Sequence, residues 1–70
     1  MEGIFSAQFH VRLIMFLANP THPQLKNHAL RGHLMGFRAI AVTGDYRALY
    51  HVVKPHVAEF VSIGTHSQVY

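Results

Sequence analysis

The chain has 70 residues, half of them hydrophobic and 13% charged, with seven histidines and no cysteine. That length holds one domain, residues 1–70, with a small core, because a chain this short buries only about 60% of its unfolded surface. The composition argues against a disordered tail; without cysteine there is no disulfide and no thiolate metal site, which fits a reducing compartment.

Six Lys/Arg against three acids give a formal charge of +3. Histidines add positive charge below about pH 6.5. This balance suits a polyanion such as RNA, or an acidic protein partner. Residues 4–18 are apolar but interrupted by Ser6, Gln8, His10 and Arg12, too short and too polar to span a bilayer. No basic segment precedes them and no small-residue cleavage site follows, so no signal peptide is expected.

The spacing of Phe5, Phe9, Leu13, Phe16 and Leu17 predicts a helix over 4–18. Asn19-Pro20 ends it, since proline cannot continue the hydrogen-bond ladder. Ile4, Val11, Ile14 and Met15 fall on another side of the wheel. A helix apolar on two sides needs cover on two sides: its own sheet, and a second chain, a further copy of this one included. Residues 20–32 read as a connector broken early by Pro20 and Pro23. Leu25 and Leu30 pin it to the core, while Lys26, Asn27, His28 and Arg31 face solvent or a ligand.

Three strands follow, His33–Val42, Tyr46–Val53 and Val57–Ile63. Gly36 is a candidate bulge, and Thr43-Gly44-Asp45 and Lys54-Pro55-His56 are turns. Gly64 ends the last strand and leaves Thr65–Tyr70 as a tail. The expected fold class is α+β, a three-stranded antiparallel sheet (a hairpin plus one) with one helix on a face.

A two-residue loop in the first hairpin puts Arg38, Ile40 and Val42 on one face with Arg47, Leu49 and His51. Phe37, Ala39, Ala41, Tyr46, Ala48 and Tyr50 take the other. A three-residue loop separates the two arginines. Sharing a face, they repel modestly unless an anion sits between them, since a guanidinium fork matches phosphate oxygens. On residue types alone the favoured reading is two solvated charges lying over apolar neighbours. His22, His28 and His33 lack metal-ligand spacing and a nearby carboxylate, so no metal site is expected. His10, His51 and His56 are read as surface or strand residues without a special role. His66, after a strand and a glycine, can exchange a proton near neutral pH if the tail folds back.

Four pieces of text, in this order and spacing, resemble the RelE/ParE superfamily of bacterial toxins, in its YafQ-like branch. They are Lys26-Asn27-His28-Ala29-Leu30-Arg31-Gly32, Gly36-Phe37-Arg38, Gly44-Asp45-Tyr46-Arg47 with Tyr50, and Ile63-Gly64-Thr65-His66-Ser67 with Tyr70. Together they cover about three-quarters of the chain. The resemblance implies a RelE/ParE-like fold and the toxin half of a toxin–antitoxin pair: a cytoplasmic, ribosome-dependent endoribonuclease that cuts mRNA without a cofactor and binds a cognate antitoxin. His28, Asp45, His66 and Tyr70 then correspond to catalytic positions, with His28 and His66 exchanging protons and Asp45 assisting. Arg38 and Arg47 would hold phosphate, Lys26 and Arg31 would add field, and Tyr46 and Tyr70 would stack on bases. Some members carry a histidine where this chain has Ala41, and a basic residue where it has Ser62-Ile63. The family usually begins with a strand and a further helix, so residues 4–18 match its second helix and the domain is expected to be shortened at its start. A catalytically inactive toxin, or a ParE-like module that only binds antitoxin, is the alternative.

Overall fold

Helix α1 spans Glu2–Ala18, and in a computed structural model it lies across one face of a four-stranded antiparallel sheet. The structure describes the backbone of residues 2–70 and the side chains from Ala7 onward; the expectations for Ile4 and Phe5 lie outside the described side chains. The strands are β1 (His28–Ala29), β2 (Arg38–Thr43), β3 (Tyr46–Lys54) and β4 (Val57–Thr65), in that order across the sheet. A four-residue helix, α2 (His66–Val69), follows β4. The sheet therefore has four strands where three were expected. The added one is the two-residue edge strand β1, too short to leave a pattern in the sequence. Its pairing with β2 continues as Leu30 N–H donates to the Phe37 carbonyl at 3.0 Å.

Only part of the expected helix stripe reaches the core. Phe16 packs edge-on against Tyr50 (4.9 Å between ring centres) and Phe60 (5.6 Å), and Phe9 meets Phe60 at 5.6 Å. Such pairs add about 0.5–1.5 kcal/mol each beyond burial. Met15, expected on the far side, also packs on the core. Leu17, expected in the stripe, is 75% exposed, and Val11 and Ile14 are exposed beside it.

Side chains anchor the connector. His22 Nδ1 accepts from the Gln24 N–H at the start of a 3-10 turn, Pro23–Leu25, which drives Leu25 into full burial. Asn27, expected to face solvent, is half-buried. Its amide donates to the Pro20 carbonyl and the Tyr50 hydroxyl, and its oxygen accepts from Arg38 Nε. A second 3-10 turn, Gly32–Leu34, occupies what was expected to begin a strand. Gly36, with φ +98°, lies in the turn before β2 and is not a bulge.

The bulge lies elsewhere. The hairpin loop is two residues, with Thr43 paired to Tyr46, yet Ala41 pairs with Arg47 and leaves Val42 as an extra residue on β2. Such an insertion shifts every later pair by one and flips side chains across the sheet. Arg38 therefore pairs with Tyr50, and Ile40 with Ala48, on the helix-covered face. Ala39 and Ala41 share the open face with Leu49 and Arg47. The expectation that Arg38 and Arg47 share a face fails here, on a bulge rather than on loop length. Bulges disrupt ladder bonds, and the Val42 carbonyl is taken by Arg12 Nε from α1 at 2.9 Å. Further register shifts at Val53 and Val61 separate β3 from β4 locally.

Replacing Arg12 by Met keeps most of its apolar stem but leaves the Val42 carbonyl without that donor. An unsatisfied buried acceptor costs about 1–3 kcal/mol. Urea unfolding of Arg12→Met should show a loss of that order, and an unchanged midpoint would contradict the role.

Candidate functional site

The open face of the sheet gathers residues from β1, β3 and α2. β4 does not stop at Gly64 as expected but runs through it to Thr65. Gly64 is buried because α2 folds back over it. A Cβ there would lie 2.9 Å from Gln68 Oε1 and 3.2 Å from Val69 Cγ1, so a larger residue would displace the Gln68 and Val69 side chains. Thr65 N–H donates to Gln68 Oε1 at 2.9 Å, and the Thr65 side chain accepts from the Gln68 backbone, a reciprocal cap that starts the helix. The expected tail is thus a helical turn that carries His66 and Tyr70 back over the sheet.

Tyr70 sits between the two histidines. Its ring lies edge-on to His66 with centres 4.2 Å apart, and to His28 at 6.5 Å. The Tyr70 hydroxyl is 3.3 Å from His28 Nε2. The other ring nitrogen of His28, Nδ1, lies 2.8 Å from the Lys26 carbonyl. A carbonyl only accepts, so Nδ1 carries the proton. In the neutral ring Nε2 is then an acceptor for the Tyr70 O–H. Lys26 itself adopts a left-handed φ of 50° as it ends the 3-10 turn, which aims its carbonyl at the ring two residues on. Burial raises the Tyr70 phenol above its ordinary value and Arg47 partly offsets this, so Tyr70 stays protonated as a donor at neutral pH.

Arg47 is half-buried on the same face. Its NH1 group donates to the carbonyls of Gly44 (2.9 Å) and Tyr46 (3.0 Å), which holds the guanidinium over the hairpin end.

The structure therefore brings together His28, His66, Tyr70 and Arg47, and separates the other expected site residues from them. Arg38 lies on the helix-covered face, away from Arg47, and its Nε donates to Asn27 Oδ1. Tyr46, expected on the face opposite Arg47, is half-buried and packs on the core. Asp45 is exposed in the β2–β3 turn and makes no ion pair among the described residues. Lys26 and Arg31 are exposed on either side of β1. Sequence reasoning missed the neighbouring group of Phe37, His51 and Glu59. His51 Nε2 lies 2.6 Å from Glu59 Oε1, and Phe37 packs on the His51 ring at 5.2 Å. The alternation of strand positions was the only available signal, and the Val42 bulge inverted it. No group of three or more His, Asp or Glu able to hold a metal occurs among the described residues.

No protein-family model matches the chain, and no curated protein matches it. A solved structure does. The conserved hypothetical protein HP0894 from Helicobacter pylori, determined in solution, is 30% identical to this chain and superposes with a TM-score of 0.59. The similarity covers 84% of this chain and 68% of HP0894. This chain belongs to the HP0894 family.

The proton positions can be read directly. In nitrogen-resolved NMR at alkaline pH, where imidazoles are neutral, His28 should appear as the Nδ1–H tautomer. Tyr70→Phe should move its Nε2 resonance to that of a ring nitrogen lacking a hydrogen-bond donor. Finding the Nε2–H tautomer in the parent would contradict this arrangement.

Proposed function

We propose that the chain is a RelE/ParE-superfamily toxin of the YafQ-like branch, a ribosome-dependent mRNA endoribonuclease of the cytoplasm that is neutralised by a cognate antitoxin. The observation that carries this reading is the Tyr70 phenol lying between two imidazoles on an open face beside an arginine. The toxin-like sequence text over the same residues supports it.

RNA brings its own nucleophile, the 2′-hydroxyl. Cleavage then needs a base for that proton, an acid for the leaving 5′-oxygen, and positive charge for the phosphorane-like state. In this scheme His28 Nε2 is the base, because the bond from Nδ1–H to the Lys26 carbonyl reserves Nε2 as an acceptor. His66 is the acid. Tyr70 holds its hydroxyl against His28 in the free protein and yields that place to the 2′-hydroxyl when RNA binds. Arg47 supplies charge to the phosphate, and Lys26 and Arg31 add field along the strand. Asp45, exposed in the hairpin turn, assists the proton chemistry of the two histidines or orients the RNA.

The test is cleavage of mRNA on translating ribosomes. His28→Ala and His66→Ala should each lose roughly 10²–10⁴-fold in rate, the usual worth of a positioned acid or base. Arg47→Gln should lose activity while keeping its Tm, whereas Arg38→Gln should lower Tm through the Asn27 network. Variants of both histidines that cut as fast as the parent would end the nuclease assignment.

One observation favours a second reading, a module that binds an antitoxin without cutting RNA. Val11, Ile14 and Leu17 are exposed on α1. Beside them an apolar groove of about 640 Å³ opens between the helix and the β3–β4 hairpin, lined by Leu13, Phe16, Tyr50, Val57 and Phe60. Expression in bacteria separates the readings, since a module without nuclease activity leaves growth and mRNA intact.

A further inference from the structure

The turn that delivers His28 is strained and has to be held. Lys26 carries a side chain yet sits at φ 50° and ψ 39°, a left-handed conformation that disfavours any residue with a Cβ. Its own N–H reaches the Pro23 carbonyl at 3.2 Å, a long bond for such a turn. A backbone of this kind persists only when its surroundings over-determine it. On one side Leu25 is fully buried. On the other side Asn27 is bound through its whole amide.

Asn27 meets three separate parts of the fold. Its Nδ2 donates to the Pro20 carbonyl in the connector at 3.0 Å and to the Tyr50 hydroxyl on β3 at 2.7 Å. Its Oδ1 accepts from Arg38 Nε on β2 at 2.9 Å. A guanidinium only donates and a carbonyl only accepts, so the amide has one orientation. A carboxamide supplies this set of two donors and an acceptor; a carboxylate or an alkyl group of the same size does not. The next residue is His28, whose backbone pairs with Ala39 beside the Ala29–Arg38 pair. Its side chain is exposed, and its Nδ1 has the Lys26 carbonyl as partner at 2.8 Å. The Lys26 turn sets the direction of that carbonyl, and Leu25 and Asn27 set the turn.

We propose that Asn27 is a positioning residue for His28: it holds the Lys26 turn, and through the Lys26 carbonyl it selects the Nδ1–H tautomer that leaves Nε2 able to accept a proton. Arg38 and Tyr50 take part as the partners that fix Asn27. The inference rests on the nuclease reading only for its consequence in cleavage, because the tautomer is a property of the free protein.

The experiment reads the ring-nitrogen resonances of His28 in the full chain, at a pH where its imidazole is neutral, together with Tm. In Asn27→Leu and in Asn27→Asp the ratio of Nδ1–H to Nε2–H at His28 should fall roughly two- to tenfold, the worth of one hydrogen bond. Asp keeps an acceptor for Arg38 and loses the donors, so it retains part of the anchorage if Leu proves too disruptive to fold. Phe9→Leu removes a ring that packs on Phe60, away from the Asn27 network. It should lower Tm and leave the His28 ratio unchanged, which separates positioning from a general loss of stability. A folded Asn27 variant with the parent's ratio would overturn the proposal. So would a Phe9→Leu variant that shifts the ratio as far as the Asn27 variants do. In cleavage on translating ribosomes, Asn27→Asp should lower kcat at least in proportion to the lost Nδ1–H population, with KM little changed. A shifted ratio with undiminished kcat would remove His28 as the base of the nuclease scheme and leave the positioning role standing.

Discussion

One extra residue in β2 decides what the open face of this protein contains. With Val42 inserted, Arg47 and His51 come to the face away from the helix, and Arg38 goes beneath it. An insertion of this kind leaves a backbone carbonyl out of the ladder, and a buried orphan acceptor is costly. Arg12 removes that cost by reaching from α1 to the Val42 oxygen, with a second contact to the Gln24 carbonyl in the connector. A single guanidinium thus joins helix, connector and hairpin, and the position of the candidate site follows from where it holds the chain.

The same economy appears at the other end of the sheet. Gly64 has no side chain, so a single helical turn lies against the strand end and returns Tyr70 to the neighbourhood of His28, 42 residues earlier in the chain. Neither histidine is held by a deep pocket. His28 is oriented by a backbone carbonyl two residues away, and His66 by a ring four residues away. Both contacts are short and local in sequence.

The helix side is a different surface. Its core is small: Phe16, Leu25, Ile40, Val42, Ala48 and Tyr50 hold most of the apolar burial, as expected for a chain this short. Val52 and Val57 remain exposed on the β3–β4 hairpin, as do Val11, Ile14 and Leu17 on α1. The two faces are therefore chemically distinct, with imidazoles, a phenol and a guanidinium on one and aliphatic side chains on the other. No helix among the described residues is long and apolar enough to cross a membrane.

Local chemistry determined much of this in the sequence alone. The helix, the two-residue hairpin turn at Gly44-Asp45, the third strand and the connector anchored by Leu25 all follow from periodicity, proline and glycine. His28 and His66 stood out through the resemblance to the toxin family rather than through local pattern. Only tertiary structure decided the rest. Two residues of β1 carry no pattern, and pair only because β2 offers an edge. The turn of α2 needs the space above Gly64. The sorting of Arg38 from Arg47 depended on the Val42 bulge, which strand alternation cannot reveal, because side-chain period is two and one inserted residue inverts every face beyond it. The stabilising contact for that insertion comes from Arg12, thirty residues away, and nothing in the local text of β2 announces it.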